Sequence, residues 1–427
     1  MVIKRDKKSF SDEFEIMKRE KREEYQLRRL KETIKRAYEN AKAIKEIFDK
    51  EGIKPEDIKG FEDLERIPLI RKTDMIELQK KYPPYGGLLT IPEEKVQRVF
   101  ITPGPLYLPH QIEDISWFGK SFFAAGFKED DIVINTSTYH SSPAGILFHE
   151  GIRAVGATVI PTGVGNTDTQ IGIMLNLKVT GYAGMPSFLM TIIKRAEELG
   201  YDFKRAFSLK KAWFTGEMLP PSMRKIFEEE YGIDTYQCYA VTELGGCLAY
   251  ECKEKKGMHF MDDYVIEIVD PETKRRVKEG EIGEFVATSI HNPTWGLIRF
   301  GTGDMTSYIT EPCGCGRTSF RITGIIGRSE DAVKVRGMFV VKKQAETFFS
   351  SFSEIERFQL CVGRKGERDE LILRIELKDE SIEREGLKRK IGEGFPLVCR
   401  VRIDSFEFVP KDTIKEGKTI VDERKWE

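Results

Sequence analysis

The sequence predicts an α/β protein: a large N-terminal α/β domain with mostly parallel sheets and a β subdomain, then a small α+β C-terminal domain. Three observations carry this. Between Asp130 and Glu243, short β-branched or aromatic runs alternate with longer helical stretches. From Tyr264 the runs become hairpin-like, and after Gly327 the style changes again to a short mixture of strands and helices. Alternation of strand and helix marks crossover-connected parallel strands, whereas strands without intervening helices pair antiparallel.

Taken in order, the stretch from about Phe14 to Lys50 lacks Gly and Pro and is rich in Lys, Arg, Glu and Leu, so it predicts helices with a solvated charged face. "IKPEDIKGFEDLERIPLIRKTDM" alternates turn signals with short apolar anchors and reads as a linking segment. The apolar run Val99–Ile101 reads as a buried strand leading into a loop. "DIVINTST", "ATVIPTG", "VTGYAGMP", "LKKAWFTGE" and "DTYQCYAVTE" are expected strands. "AGILFHEGIRAVG", "SFLMTIIKRAEELG" and "PPSMRKIFEEEYG" are the helices between them. Ligands of such a sheet bind near the carboxyl ends of its strands. "YVIEIVD", "GEIGEFVATSI" and "GLIRFGTGDMTSYI" predict the β subdomain. The boundary falls near Ser329–Glu330, giving domains 1–328 and 329–427, the second ending in a loose polar tail.

At 427 residues the chain exceeds what one core supports, in agreement with two domains. Lys+Arg 69 against Asp+Glu 70 leaves no global basic field, which argues against a nucleic-acid partner. A charged fraction of 33%, both signs interleaved, is compatible with a heat-adapted protein. No run reaches the roughly 18 apolar residues of a membrane span, and "MVIKRDKKSFSDEF" has no apolar leader, so a cytoplasmic protein without membrane contact is expected. Seven cysteines, most of them between Cys238 and Cys315, suit reduced thiols or a metal better than a disulfide framework.

Four segments carry groups a nucleotide would need. They are "YQCYAVTELGG" at Tyr236–Gly246, "IRFGTGD" at Ile298–Asp304, "GRSEDAVKVRG" at Gly327–Gly337 and "EGKTIVDER" at Glu416–Arg424. In that order they resemble the YGxTE, RYRTGD, GRxDDxxxVRG and FEGKxxRVxD segments of acyl-adenylate-forming enzymes. The similarity is to the branch of phenylacetate–CoA ligases and coenzyme F390 synthetases, and it is collinear from about Arg28 to the C-terminus.

The resemblance implies a reaction in two halves. A carboxylate attacks the α-phosphorus of ATP, giving an acyl adenylate and pyrophosphate; a thiol, usually that of coenzyme A, then displaces AMP. A mobile C-terminal domain presents a different face for each half. Carried over by position, Tyr239 would stack on adenine beside Gly216 and Glu217, while Thr242 and Glu243 would meet the phosphates and a magnesium ion. Asp304 would accept hydrogen bonds from the ribose hydroxyls, the acceptor chemistry a carboxylate supplies. Arg328 would contact ribose or phosphate, and Glu330 stands at the hinge position. Lys418, on the tail, would neutralise charge on the α-phosphoryl oxygen during adenylation. Lys334 and Arg336 are further candidates for the triphosphate. Tyr139, His140 and Ser142 of "STYHSSPAG" would line the acyl pocket. Relatives are often dimers, so a homodimer is one option.

A second constellation is Cys252, His259, Cys313 and Cys315, whose thiolates and imidazole are the ligand types tetrahedral zinc takes. Some relatives hold zinc at matching positions, and four protein ligands would make the site closed and structural. Cys238, Cys247, Cys361 and Cys399 read as packing residues.

One segment departs from the pattern. "TPGPLYLP", Thr102–Pro109, stands where the family has its SSGTTGKP-type phosphate loop. Thr102, Gly104 and Pro109 are kept, but the threonine pair has become Pro105 and Leu106, the second glycine Tyr107 and the lysine Leu108. Pro103 and Pro105 have no N–H to donate. Each charge-assisted bond to phosphate is worth about 1.5–3 kcal/mol, so losing several without replacement would slow the reaction by orders of magnitude. Three readings follow: an acyl–CoA ligase with relocated phosphate contacts, an enzyme that adenylates a cofactor, and a non-catalytic nucleotide- or acyl-binding subunit. The retained Glu243, Asp304 and Lys418 favour the first.

Overall fold

Two apolar faces on one strand set the architecture of the larger part of the chain. In the computed structural model, which describes residues 13–102, 106–110, 116–336, 338–365, 368–379 and 381–424, Ala212 and Phe214 of strand Lys211–Phe214 are buried in one core. That core also holds Ile134, Tyr182, Leu189, Ile192 and Ile193. Trp213, between them, stacks on Phe122 at 4.5 Å and meets Phe148 edge-on at 4.8 Å. Successive side chains of a strand point to opposite faces, so this sheet is covered on both sides, as parallel strands require.

The sheet has nine strands in the order Tyr308–Ile309, Arg321–Ile322, Met258–Phe260, Gly246–Glu251, Asp234–Val241, Lys211–Phe214, Gly181–Gly184, Ile132–Asn135 and Thr158–Pro161. The last five are mutually parallel, and the others pair antiparallel. Helix Pro186–Glu198 covers one face. It starts on proline, whose missing N–H costs nothing at a first turn. Its buried Leu189, Ile192, Ile193 and Ala196 fall at helical spacing.

The chain divides into two units. The first comprises Met1–Glu267, Val286–Thr302 and Tyr308–Thr323; the second comprises Ile268–Phe285, Gly303–Ser307 and Gly324–Glu427. The backbone passes from one to the other inside strands Tyr264–Val269, Gly283–Ser289 and Phe300–Thr306, the hairpin-like segments of the sequence.

The second unit is built on a four-stranded sheet in the order Ser405–Phe408, Arg368–Leu377, Ile355–Lys365 and Ile420–Asp422. Helices Lys342–Phe349 and Arg384–Cys399 cover it, with Phe349, Ile391 and Phe395 in the core. Here the expected loose tail is corrected. Ile420–Asp422 is an edge strand parallel to Leu360–Val362, so the last polar stretch is held by backbone hydrogen bonds that its composition does not reveal.

The expected buried strand at Val99–Ile101 is also revised. Arg98–Ile101 forms an isolated hairpin with Tyr107–His110, so only Phe100 turns into the core while Val99 and Ile101 face outwards. A two-stranded ribbon has one face to bury, which a continuous apolar run conceals.

Candidate functional site

The strand Ile132–Asn135 has Thr158–Pro161 on one side and Gly181–Gly184 on the other. The chain therefore reverses its direction of winding there, and a crevice opens beyond the carboxyl ends of such strands. A cavity of about 240 Å³ lies at this place. Each parallel strand contributes to its wall at or just past its end: Thr136–Thr138, Val164, Met185, Thr215 and Gly216, and Ala240–Thr242. Pro143, Ala144, Leu147 and Phe148 of the helix that follows Thr138 add an apolar side.

Two sequence-derived candidates, Gly216 and Thr242, line this cavity, and Glu217, Tyr239 and Glu243 are their near neighbours in the chain. Thr242 lines the cavity and opens the tight turn Thr242–Leu244, which Gly245 closes with φ 78°. Gly216 also lines it, at φ 85°, a conformation side chains with a Cβ rarely adopt. Glu217 is exposed and caps helix Pro186–Glu198, its Oε1 accepting from Ser187 N–H at 2.6 Å. Tyr239 is half-buried on the strand Asp234–Val241, opposite Ala249.

Glu243 is largely covered, and Lys72 Nζ lies 3.1 Å from its Oε1. Nothing in the sequence marks this partner, because Lys72 in "RKTDM" is one lysine among many. It opens helix Lys72–Lys81, whose start is fixed by Arg71 N–H donating to Asp74 at 2.8 Å.

The segment "STYHSSPAG" does line the cavity, but through other side chains than expected: Ser137, Thr138, Pro143 and Ala144. Tyr139 turns away to accept from Asn135 Nδ2 at 2.8 Å and to meet His149 Nδ1 at 3.3 Å. Burial pushes its hydroxyl up to about 12. His140 is exposed.

Residues 103–105 of the altered phosphate loop lie outside the described residues. Its flanks are described. Thr102 N–H donates to Leu106 O at 3.1 Å, Leu106 is buried, and Tyr107–His110 pair with Arg98–Ile101. Gln79 holds both backbone groups of one strand residue, donating to Tyr107 O at 2.7 Å and accepting from Tyr107 N–H at 3.0 Å.

The second unit carries the other candidates. Arg328 donates to Asp304 Oδ1 at 2.6 Å, the two residues facing each other across paired strands. Gly303, between Thr302 and Asp304, leaves room for that guanidinium: a Cβ there would stand 3.0 Å from Arg328 Nη2. Lys334 is engaged by Asp270 at 2.5 Å and Glu272 at 3.2 Å, and those carboxylates hold its ammonium above the ordinary lysine range against the cost of burial. Arg336 Nη1 donates to both carboxylate oxygens of Asp404, at 2.7 and 2.9 Å. Glu330 is exposed in the short turn Ser329–Asp331. Lys418 is exposed, and its carbonyl accepts from Gln359 Nε2 at 2.8 Å, which ties the tail backbone while leaving the side chain outside.

In the first unit Cys252, His259, Cys313 and Cys315 converge, with all their donor atoms within 4.8 Å of one another. Cys252 Sγ and Cys313 Sγ are 3.7 Å apart, and His259 Nε2 is 3.4 Å from Cys315 Sγ. A tetrahedral zinc with Zn–S of about 2.3 Å and Zn–N of about 2.0–2.1 Å spaces its ligands at roughly 3.8 and 3.5 Å, so the donor set fits that ion. His259 Nδ1 faces Ser319 O at 3.2 Å, which fixes Nε2 as the free lone pair, and Arg317 N–H donates to Cys315 Sγ at 3.4 Å. The hydrogen bond between Cys252 and Cys315 shifts their pKa values in opposite directions, Cys315 well down and Cys252 well up. The remaining cysteines are buried.

Comparison with known proteins decides the family. The AMP-binding enzyme model matches residues 110–292. Phenylacetate-coenzyme A ligase of Escherichia coli is 31% identical over 370 residues, which cover 84% of this chain and 83% of that protein. The chain belongs to the phenylacetate-coenzyme A ligase family of AMP-binding enzymes. The ligase of the same name from Thermus thermophilus is 29% identical over 97% of this chain and 100% of its own length. Among solved structures, a 2-hydroxyisobutyryl-CoA ligase with its acyl adenylate and CoA shares the fold, with a TM-score of 0.89, 24% identity and coverage of 96% of this chain and 93% of that one. Among the described residues no helix is long and apolar enough to cross a membrane.

Proposed function

We propose that this chain is an ATP-dependent, AMP-forming acyl–CoA ligase acting on a small carboxylic acid with an apolar body, of which an arylacetate such as phenylacetate is the first to test. In the first half-reaction the carboxylate oxygen attacks the α-phosphorus and pyrophosphate leaves. In the second the thiol of coenzyme A attacks the acyl carbonyl and AMP leaves. The observation that carries the reading is the cavity beyond the parallel strands, where Thr242 of the Thr-Glu turn meets a wall of Pro143, Ala144, Leu147 and Phe148. The apolar wall suits the body of an apolar acid, and the Thr-Glu turn suits a polar nucleotide.

In this reading Gly216 and Tyr239 flank the adenine and Glu217 holds the neighbouring helix. Thr242 and Glu243 offer the hard oxygen donors that Mg²⁺ takes; that ion would screen the phosphate charge. Asp304, oriented by Arg328, receives the ribose hydroxyls. Lys334 joins the nucleotide site only on release from Asp270. Residues 329–427 act as the small domain whose Lys418 meets the α-phosphoryl oxygen during adenylation. The cluster of Cys252, His259, Cys313 and Cys315 holds a structural zinc, since four protein ligands leave no open position.

The test is pyrophosphate exchange into ATP over a panel of aryl and alkyl carboxylates. Exchange should depend on the acid, and Lys418→Ala should abolish it while sparing thioester formation from supplied acyl adenylate. Exchange with none of the acids, or equal loss of both half-reactions in Lys418→Ala, would contradict the assignment.

A further inference from the structure

The segment that should neutralise the polyphosphate of ATP carries no charge: Thr102–Pro109 contains neither Lys nor Arg. Its described part is also committed elsewhere. Leu106 and Leu108 are buried, and the backbone of Tyr107 is taken up by Gln79. An anion as highly charged as a triphosphate still needs a cation beside it.

We propose that Lys72 is that cation, standing in for the lysine the segment lacks; the inference rests on the ligase reading above and deepens it. Lys72 Nζ already sits on the carboxylate of Glu243, the acidic member of the Thr-Glu turn, at 3.1 Å. The two side chains are unequally covered, Glu243 at 10% exposure and Lys72 at 43%. An ammonium has three donors, so the contact with Glu243 leaves this half-exposed group capacity for a phosphate oxygen.

The helix that carries Lys72 is fixed at both ends of this region. Ile70 and Arg71, just before it, pair with Phe300 and Gly301, and Gln79, two turns on, holds the hairpin at Tyr107. Seven residues of α-helix span roughly 10 Å, so one rigid element links the Thr-Glu turn to the strand that replaces the phosphate loop. A charge lost from the loop is recovered from the neighbouring helix, and Glu243 keeps it in place until the ligand arrives.

Calorimetric titration of the full chain with β,γ-methylene ATP and with AMP, each with excess magnesium chloride, tests this. Lys72→Ala should weaken the triphosphate analogue at least about tenfold, the loss expected for one charge-assisted bond. AMP, which lacks the β- and γ-phosphates, should shift by less than about threefold, and this also reports that the variant is folded. Lys72→Arg should recover most of the analogue's affinity, because it keeps the charge. Equal binding of the analogue by Lys72→Ala and the unaltered protein overturns the role of Lys72 alone, as does an equal factor lost for AMP and the analogue. An unaltered protein that binds neither nucleotide overturns the ligase reading with it.

Discussion

Removing the proposed zinc from the Cys252, His259, Cys313 and Cys315 cluster should loosen the N-terminal segment, for reasons the contacts make explicit. The turn that supplies Cys313 and Cys315 continues into Arg317 and Thr318. Arg317 Nε donates to the buried carboxylate of Glu15 at 2.6 Å, Thr318 N–H donates to Glu15 O at 3.0 Å, and Thr318 Oγ1 donates to Met17 O at 2.6 Å. Without a cation, thiols held 3.7 Å apart lose the charge that gathers them, and the turn that holds Glu15 loses its anchor. A ligand bound only by the folded state stabilises it by about 4 kcal/mol at a thousandfold excess over Kd. At about 2 °C per kcal/mol, the low end that applies to so large a unit, that is roughly 8 °C in Tm. The assay is calorimetry before and after chelation, with elemental analysis and amide exchange at Arg317 and Thr318. Zinc near one equivalent, a fall in Tm of that order and faster exchange at those amides are expected. Protein without stoichiometric zinc, or chelation that leaves both amides protected, would refute the reasoning.

Arg299 and Glu267 are both fully buried and paired at 3.1 Å. Arg299→Met alone should cost about 3–5 kcal/mol in denaturant unfolding, because it strands the carboxylate, whereas Arg299→Met with Glu267→Leu should recover most of it. Equal losses would show that the bond from Arg299 to Ile67 O, not the charge, dominates. His110 is buried on the hairpin, and burial, with Arg98 and His291 nearby, lowers its pKa to about 4. The unfolded chain takes up this proton first, so the stability from neutral His110 is complete above about pH 6.5 and is lost as pH falls from there to 4. The full loss, at 1.36 kcal/mol per unit, is about 3 kcal/mol. Unfolding measured from pH 7 to 4 should show this slope, and His110→Gln should flatten it; an unchanged slope would assign it to other groups.

Much of the fold was legible because its signals are local. Helix Pro186–Glu198 could be read from its proline start and from Leu189, Ile192, Ile193 and Ala196, and the parallel strands from their alternation with helices. The Thr-Glu turn and the cysteine-histidine set could be read because the residue types themselves carry the chemistry. Cavity residues such as Val164 and Met185 could not, since each is an ordinary apolar residue a few positions past a strand and becomes a wall only when five strand ends align.

The same contrast holds for the whole chain. Residue order along the chain was enough for the α/β class and the family branch, and it marked candidates for metal and nucleotide and the changed residue types at Thr102–Pro109. Each of these follows from residue type and spacing along the chain. The tertiary structure alone decided that the tail is an edge strand, that Val99 and Ile101 face outwards, that Tyr139 turns from the cavity to Asn135, and that Lys72 meets Glu243. Those are pairings between residues far apart in sequence or choices between two faces of one element, and both are settled by packing, which acts across the chain rather than along it.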